Sequence, residues 1–316
     1  MLKKNKMVST SKKFSYHPLV SIVLPVFNGE RFLRQALDSI MAQTFTDFEL
    51  CISDNASTDS TNDICNEYTK KYPCITYHRQ LKNIGIFRNL EWLIKQAKGK
   101  YLLLIGDDDI YEPNCLALYV QKMQANKDVI LVYSDYGWID VSGARCKSGL
   151  KIFMSAEDSI FDNLASFIRA RIILPLAMGL YRTSIARQAL PFPIFGNYYK
   201  NFLGGRDIGF MWKILTKGRV DSVNKVLFYY RNKDRGYVVL ESWGKNSLLN
   251  QWRIIYLNWI ILTQHALKEI NLANINIIQK IYLSIFAIIM FILEYSLITV
   301  INRLKFLFRK KSIIKS

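Results

Sequence analysis

Val20-Ser21-Ile22-Val23-Leu24-Pro25-Val26-Phe27-Asn28-Gly29-Glu30 opens the regular part of this chain. Val20 to Val26 is a β-branched run closed by a proline-containing turn, the pattern of a buried strand. Behind it, Phe32, Leu33, Ala36, Leu37, Ile40 and Met41 recur at helical spacing. The alternation then repeats. Glu49 to Ser53 reads as a strand, Asp54 to Asp59 as a turn, and the stretch to about Lys71 as a helix with Ile64 and Tyr68 on one face. Ile75 to His78 is a third strand, and Leu90, Leu93, Ile94 and Ala97 mark a helix that Gly99 would end. Tyr101 to Ile105 is an apolar fourth strand running into Asp107-Asp108-Asp109. Leu116, Leu118 and Val120 then fit another helix, and Val129 to Tyr133 another strand. Strands alternating with helices in this way predict an α/β fold, with a doubly wound, mainly parallel, Rossmann-like sheet. Such sheets bind ligands beyond the carboxyl ends of their strands, and both acidic turns fall there.

The chain has 316 residues, half of them apolar, enough for one large α/β unit and a smaller appendage. Its net charge of +18 calls for an anionic partner: nucleic acid, a membrane surface or phosphorylated small molecules. Lysines crowd the first 13 residues, and Arg303, Lys305, Arg309, Lys310, Lys311 and Lys315 crowd the other end. Nucleic-acid binding would interleave basic and aromatic residues on one face, so a nucleic-acid partner is not expected. The 5 cysteines lack C-x-x-C spacing and read as reduced thiols, and 3 histidines make a histidine-rich metal site improbable. No apolar run precedes residue 20, so no secretory signal is read; residues 1–19 form a basic, solvated tail.

Three adjacent carboxylates at a sheet edge repel one another unless a cation compensates. Hard oxygen ligands select Mg²⁺ or Mn²⁺, and such an ion can neutralise a departing diphosphate. A solvated acidic turn capping the next helix is the plainer alternative. In the other turn, Asp54, Asn55, Ser57, Thr58 and Asp59 offer acceptors for a nucleobase and ribose, or N-caps for the following helix. Those two roles are compatible, with Asp54 as ligand and Asp59 as cap. The glycine-rich dinucleotide fingerprint is missing after the first strand, and a P-loop is absent, which removes the main support for a dehydrogenase or an ATPase.

Read in order, Pro25-Val26-Phe27-Asn28-Gly29-Glu30, Gln43-Thr44, Ser53-Asp54-Asn55-Ala56-Ser57-Thr58-Asp59, Lys82-Asn83-Ile84-Gly85, Asn89, Gly99 and Gly106-Asp107-Asp108-Asp109 resemble the opening of family 2 glycosyltransferases. The likeness is close from Val20 to Tyr133 and weaker to about Tyr237. It implies an A-type glycosyltransferase fold, a nucleotide-diphosphate sugar donor and inversion at the anomeric carbon. It also implies that Pro25, Val26, Phe27, Asn28, Glu30, Asp54, Asn55, Asn83, Gly85 and Asp107 hold the nucleotide sugar. The acidic motif would bind the metal. This chain has Gly106 where the family's D-x-D-D pattern has Asp, which leaves Asp108 as first metal contact, with Asp109 and Asp107 supporting.

Downstream, Gly204-Gly205-Arg206-Asp207-Ile208-Gly209-Phe210-Met211-Trp212 resembles the segment carrying the family's general base, with Arg206 where Glu is commoner. Asp207 would take the proton from the attacking hydroxyl, opposite the leaving phosphate. Its plainer role is to cap a helix from Ile208 to Leu215. Tyr229-Tyr230-Arg231 and Arg235 follow a last strand, Val223 to Phe228, and resemble a loop that closes over the donor. Arg231 would pair with a phosphate there, or stand as a solvated arginine. The Q-x-x-R-W signature of processive synthases is absent, Gln251-Trp252-Arg253 having the wrong order, so addition of a single sugar is expected.

Residues 281–301 are long and apolar enough to span a bilayer, with Glu294 the one charge. Nucleotide sugars are cytosolic, so a span would send the basic C-terminal tail outside, against the positive-inside tendency. The expectation is an interfacial helix or shallow hairpin on an anionic membrane surface, at its cytoplasmic face; a core helix is the alternative. The predicted organisation is therefore a tail over 1–19, a catalytic unit over 20–240 divided near 135 into nucleotide-sugar and acceptor halves, and a helical, membrane-associating appendage over 241–316. The expected activity is metal-dependent hexosyl or N-acetylhexosaminyl transfer to a carbohydrate or lipid-linked acceptor, in bacterial-type surface polysaccharide or glycolipid synthesis. The rivals are a non-catalytic basic membrane-binding module and a sugar nucleotidyltransferase, whose glycine-rich opening loop is absent.

Overall fold

The structure, a computed structural model, describes residues 17–148, 155, 157–170, 177–193, 206–231 and 264–289. Strands β1 (Val20–Val26), β2 (Phe48–Asp54), β3 (Ile75–Arg79) and β4 (Tyr101–Leu104) are linked by helices α1 (Leu33–Met41), α2 (Thr61–Lys71) and α3 (Ile86–Gln96). They pair in parallel in the order β3-β2-β1-β4. The chain continues through β5 (Ile110–Tyr111), α4 (Cys115–Ala125), β6 (Val129–Ile139), β7 (Arg145–Ser148), α5 (Ile160–Ala170), β8 (Leu180–Arg182), α6 (Thr183–Gln188), α7 (Arg206–Leu215) and β9 (Arg219–Arg231).

The described strands form one sheet, ordered β3-β2-β1-β4-β8-β6-β9-β5, with β7 beside β6. β8 runs antiparallel to both β4 and β6. Two reversals restore direction, so β6 and its parallel partner β9 end on the same rim as β1, β2 and β4. The parallel pattern predicted from the sequence therefore holds for the first four strands and becomes mixed beyond them. Alternate residues of each strand supply the two layers above and below. Val23, Cys51, Leu102, Leu104 and Leu131 face Leu93, Ile94, Leu164, Met211 and Trp212. Ile22, Leu24, Leu50, Leu103 and Val132 face Leu37, Ile40, Ile64, Tyr119 and Met123. Burial on both sides is why β2 has no exposed position.

Three details differ from expectation. Helix α3 ends at Gln96, and Gly99 lies beyond it, where its N–H donates to Ser21 Oγ at 2.7 Å. The last strand is longer than read, so Tyr229, Tyr230 and Arg231 are strand residues and not a loop. Residues 264–272 and 277–289 are helical and bury Ala266, Ile270, Ala273, Leu283 and Ala287 in the layer of α3 and α7. Among the described residues no helix is long and apolar enough to cross a membrane. Residues 1–16, Arg235, Gln251 to Arg253, 290–301 and the basic C-terminal tail lie outside the described residues. Cys51, Cys65, Cys74 and Cys115 are free thiols, as expected.

Candidate active site

The rim begins with two turns laced together. Asn28 sits at φ 52°, a conformation that asparagine tolerates better than most residues. Its N–H donates to Ser57 Oγ at 2.9 Å, and its Oδ1 accepts the Thr58 N–H at 2.9 Å. Gly29 N–H donates to Thr61 Oγ1 at 2.9 Å. Glu30 N–H donates to Asp59 Oδ2 at 3.1 Å, while Glu30 Oε2 accepts the Ser60 N–H at 3.0 Å. Asx and Ser/Thr side chains suit this job because their oxygens reach nearby N–H groups that no helix or ladder satisfies. Asp59 also takes the Thr61 N–H at 3.1 Å, at the start of α2, where its capping role was expected.

A third turn joins them through Asn55. Its Oδ1 accepts the Ile84 N–H at 2.8 Å, and its Nδ2 donates to Asn83 Oδ1 at 2.9 Å. Asn83 Oδ1 in turn accepts the Gly85 N–H at 2.9 Å. Asp54, read from the sequence as a ligand to the base or ribose, is fully buried. Its Oδ1 accepts the Ser57 N–H at 2.8 Å and its Oδ2 the Tyr77 hydroxyl at 2.9 Å. Asp54 is thus framework for the second turn. Phe27 is the contrast: its ring is 46% exposed at the end of the first turn.

The acidic turn enters this rim through glycine. A Cβ at Gly29 would lie 2.9 Å from Asp107 Oδ2, so the absence of a side chain lets the carboxylate approach the first turn. A Cβ at Gly106 would lie 2.7 Å from Asp109 Oδ2, so in this chain the glycine leaves room for the Asp109 carboxylate as it is placed here. The three carboxylates have different settings. Asp107 and Asp108 are half-buried on the rim, whereas Asp109 is buried and its Oδ1 accepts the Arg231 N–H at 3.1 Å.

Arg231 is the clamp of this turn. It is only 1% exposed and lies in β9, which corrects the alternative of a solvated arginine in a loop. Its Nε donates to Asp108 O at 2.8 Å, its Nη1 to Asp140 O at 2.8 Å and its Nη2 to Gln35 Oε1 at 2.6 Å. The guanidinium carbon lies 4.4 Å from the Phe32 ring centroid. Burial pushes its pKa down, and the Asp108, Asp109 and Asp140 carboxylates oppose that. Gln35, Asp140 and Tyr77 were missed from the sequence: Gln35 and Tyr77 lie in no turn motif, Asp140 heads the turn between β6 and β7, and the contacts that matter here are remote in the chain.

Among the described residues no group of three His, Cys, Asp or Glu side chains is arranged to hold a metal. Mg²⁺-type sites, however, use one or two carboxylates and complete their shell with substrate phosphate and water. Asp107 and Asp108 supply that partial set of hard oxygens.

Asp207 occupies the first turn of α7, and its Oδ1 accepts the Ile208 N–H at 2.8 Å. Burial raises its pKa above the ordinary carboxylate range, partly offset by that N–H. The helix start is tied to the rim through Arg206, whose guanidinium carbon lies 4.5 Å from the Phe87 ring centroid, one turn of chain beyond Gly85. Arg206 also donates to the Pro193 carbonyl at 3.0 Å.

A twisted sheet with its ligand turns on the carboxyl rim and an acidic turn after the fourth strand defines an A-type nucleotide-sugar transferase architecture. Solved structures agree on the fold. S. aureus TarS in complex with UDP superposes with a TM-score of 0.58 at 19% identity, over 84% of this chain and 69% of that one. A mannosyltransferase from Pyrobaculum calidifontis, in complex with GDP-Man and Mn²⁺, gives 0.52 at 16%, over 89% and 84%. The glycosyl transferase family 2 model matches residues 21–168. An uncharacterised glycosyltransferase of Rickettsia prowazekii is 39% identical over 215 residues, and one of Rickettsia typhi is 30% identical over 220. Each match covers 66% of this chain and 66% of the relative. Chondroitin synthase of Escherichia coli is 31% identical over 147 residues, 46% of this chain and 21% of that protein. The chain belongs to glycosyl transferase family 2.

Proposed function

We propose that this protein transfers one sugar from a nucleotide-diphosphate donor to an acceptor hydroxyl with inversion. The carrying observation is the approach of the Asp107 carboxylate to the first of three laced turns, with Asp108 half-buried beside it. The exposed Phe27 would stack on the base, with Asn28 and Asn55 offering polar groups beside it. Asn83 and Gly85 would complete that contact from the third turn, and Pro25, Val26 and Glu30 would hold the nucleotide sugar through the first turn. Asp108, with Asp107, would hold Mg²⁺ or Mn²⁺, which when bound neutralises the departing diphosphate. Asp109 and Arg231 position that turn. Asp207 accepts the proton of the attacking hydroxyl, a task suited to a carboxylate whose basicity burial has raised.

Hexosyl or N-acetylhexosaminyl transfer in surface polysaccharide or glycolipid synthesis is supported by the company the chain keeps: a relative that is a chondroitin synthase, and TarS, which has been solved with UDP-GlcNAc. The acceptor is a carbohydrate or a lipid-linked one, and the reaction runs at the cytoplasmic face of a membrane. The test is calorimetric titration of UDP, GDP and dTDP with and without Mn²⁺. Micromolar binding of one nucleotide, lost without metal and in Asp108→Ala, is expected. Binding of none, with or without metal, overturns the reading.

A further inference from the structure

Residues 277–289 are helical and amphipathic in an unusual sense, because both sides are apolar. Leu283 and Ala287 are buried against the domain, with the Phe286 ring beside them and Tyr282 5.6 Å from Phe161. The other side carries Ile277, Ile278, Ile281 and Ile285, which are 67%, 75%, 54% and 54% exposed, and Ile289 at 46%. Leu272, at the end of the preceding helical segment, is 65% exposed as well. Soluble monomers rarely leave contiguous apolar patches larger than a few hundred Å², and five half- to three-quarters-exposed isoleucines on one side of a helix are such a patch.

We propose that this isoleucine face is a docking surface for an anionic lipid bilayer, seated at the headgroup boundary. Charge selects the occupant. The net charge is +18, and Lys280, Arg303, Lys305, Arg309, Lys310 and Lys311 lie within or shortly after the apolar stretch. A second copy would bring the same charge to the contact and be repelled, while an anionic surface attracts it and receives the isoleucines. The placement also fits the chemistry. His265 Nε2, on the segment preceding the stripe, lies 3.0 Å from Gly209 O, two residues beyond Asp207. A chain docked by this face therefore holds the helix bearing Asp207 close to the bilayer, where a lipid-linked acceptor presents its hydroxyl. The inference rests on the membrane-facing part of the proposed function and not on the donor site.

Flotation of the full chain with phosphatidylcholine vesicles, with and without phosphatidylglycerol, tests it. Binding that requires phosphatidylglycerol, weakens with salt and falls tenfold or more in Ile281→Gln/Ile285→Gln is expected. These side chains are solvent-facing, so the variant should keep its melting temperature and its nucleotide affinity. Ile278→Gln with Leu272→Gln should lose binding as well. Wild-type protein that stays unbound on phosphatidylglycerol vesicles overturns the proposal, as do variants that float like wild type. A concentration-dependent dimer, seen by sedimentation velocity and abolished by the same substitutions, would assign the face to a second copy instead. Flotation that succeeds while every nucleotide titration fails would sink the transferase reading and leave this one standing.

Discussion

The two halves of the rim are built by opposite means. On the proposed donor side, Asn28, Glu30, Asn55 and Asp59 each bond to another turn's backbone or side chain, and Asp54 bonds within its own turn and to Tyr77 of β3, so the residues mostly hold one another. On the proposed acceptor side a single carboxylate, Asp207, sits at a helix start, where its Oδ1 accepts the Ile208 N–H, and burial has shifted its proton affinity. On the proposed reading, a nucleotide diphosphate would be met by a frame assembled before it arrives. The reacting group is instead tuned by its surroundings. The lesson is that a strongly patterned motif marks scaffold as often as contact.

The largest break in this contrast should come from Asp207→Asn. Loss of the base is expected to lower kcat by about 10² to 10⁴ while the donor dissociation constant stays near wild type. Unchanged turnover would remove the acceptor half of the reading. The same shift makes a pH prediction. The folded pKa lies above the unfolded one, so the stability Asp207 contributes is present below the usual Asp range and is lost as pH rises through the raised value. Asp207→Asn should therefore melt above wild type at neutral pH, with the gap closing towards acid. In wild type, kcat should fall on the acid side with a midpoint above the ordinary Asp value, and the variant should lack that fall.

Next in size is Asp108→Ala, expected to weaken metal-dependent nucleotide binding about 100-fold, with the fold intact because the side chain is partly solvated. Asp109→Asn separates the carboxylates: it should cost stability, about 1.5–3 kcal/mol for a charged hydrogen-bonding group, more than affinity. Equal loss of nucleotide binding in both, with no change in melting, would put Asp109 among the ligands after all. Arg231→Lys comes third. Lysine keeps the charge but cannot reach Asp108 O, Asp140 O and Gln35 together. About a tenfold rise in the metal needed for half-saturation is expected, with kcat at saturating metal nearly unchanged.

The donor half was legible because its signals are local. Strand and helix periodicity placed β1 to β4, and the turn residues Asn28, Asp54 and Asn55 lie within a few positions of strand ends, so they could be read as a rim. Their partners could not. Tyr77 meets Asp54 across a strand pair, and Gln35 meets Arg231 across almost 200 residues of chain, with no spacing rule to announce either. The extent of β9 was missed for a related reason. Tyr229 to Arg231 look like a polar exit from a strand, yet β6 and β5 pair with them and extend the ladder to Arg231. Short antiparallel strands such as β8 hold three residues and have no period to read.

The smallest expected effect tests the donor frame at its first residue. Asn28 combines a left-handed backbone with a side-chain acceptor for the Thr58 N–H. Substitution by glycine keeps the backbone and removes the acceptor, whereas alanine removes the acceptor and also strains the backbone. Asn28→Gly should therefore cost about 1 kcal/mol of stability, the net value of a typical hydrogen bond, and Asn28→Ala about 1–2 kcal/mol more from the left-handed conformation. Chemical denaturation of the pair measures the difference directly. If the frame is pre-built, both variants should also weaken nucleotide binding only a few-fold, because the remaining bonds from Gly29, Glu30 and Asn55 still hold the turns together. A loss as large as that of Asp108→Ala would mean that Asn28 touches the nucleotide itself. The contrast between a self-supporting donor rim and a single tuned acceptor carboxylate would then have to be redrawn around direct contact.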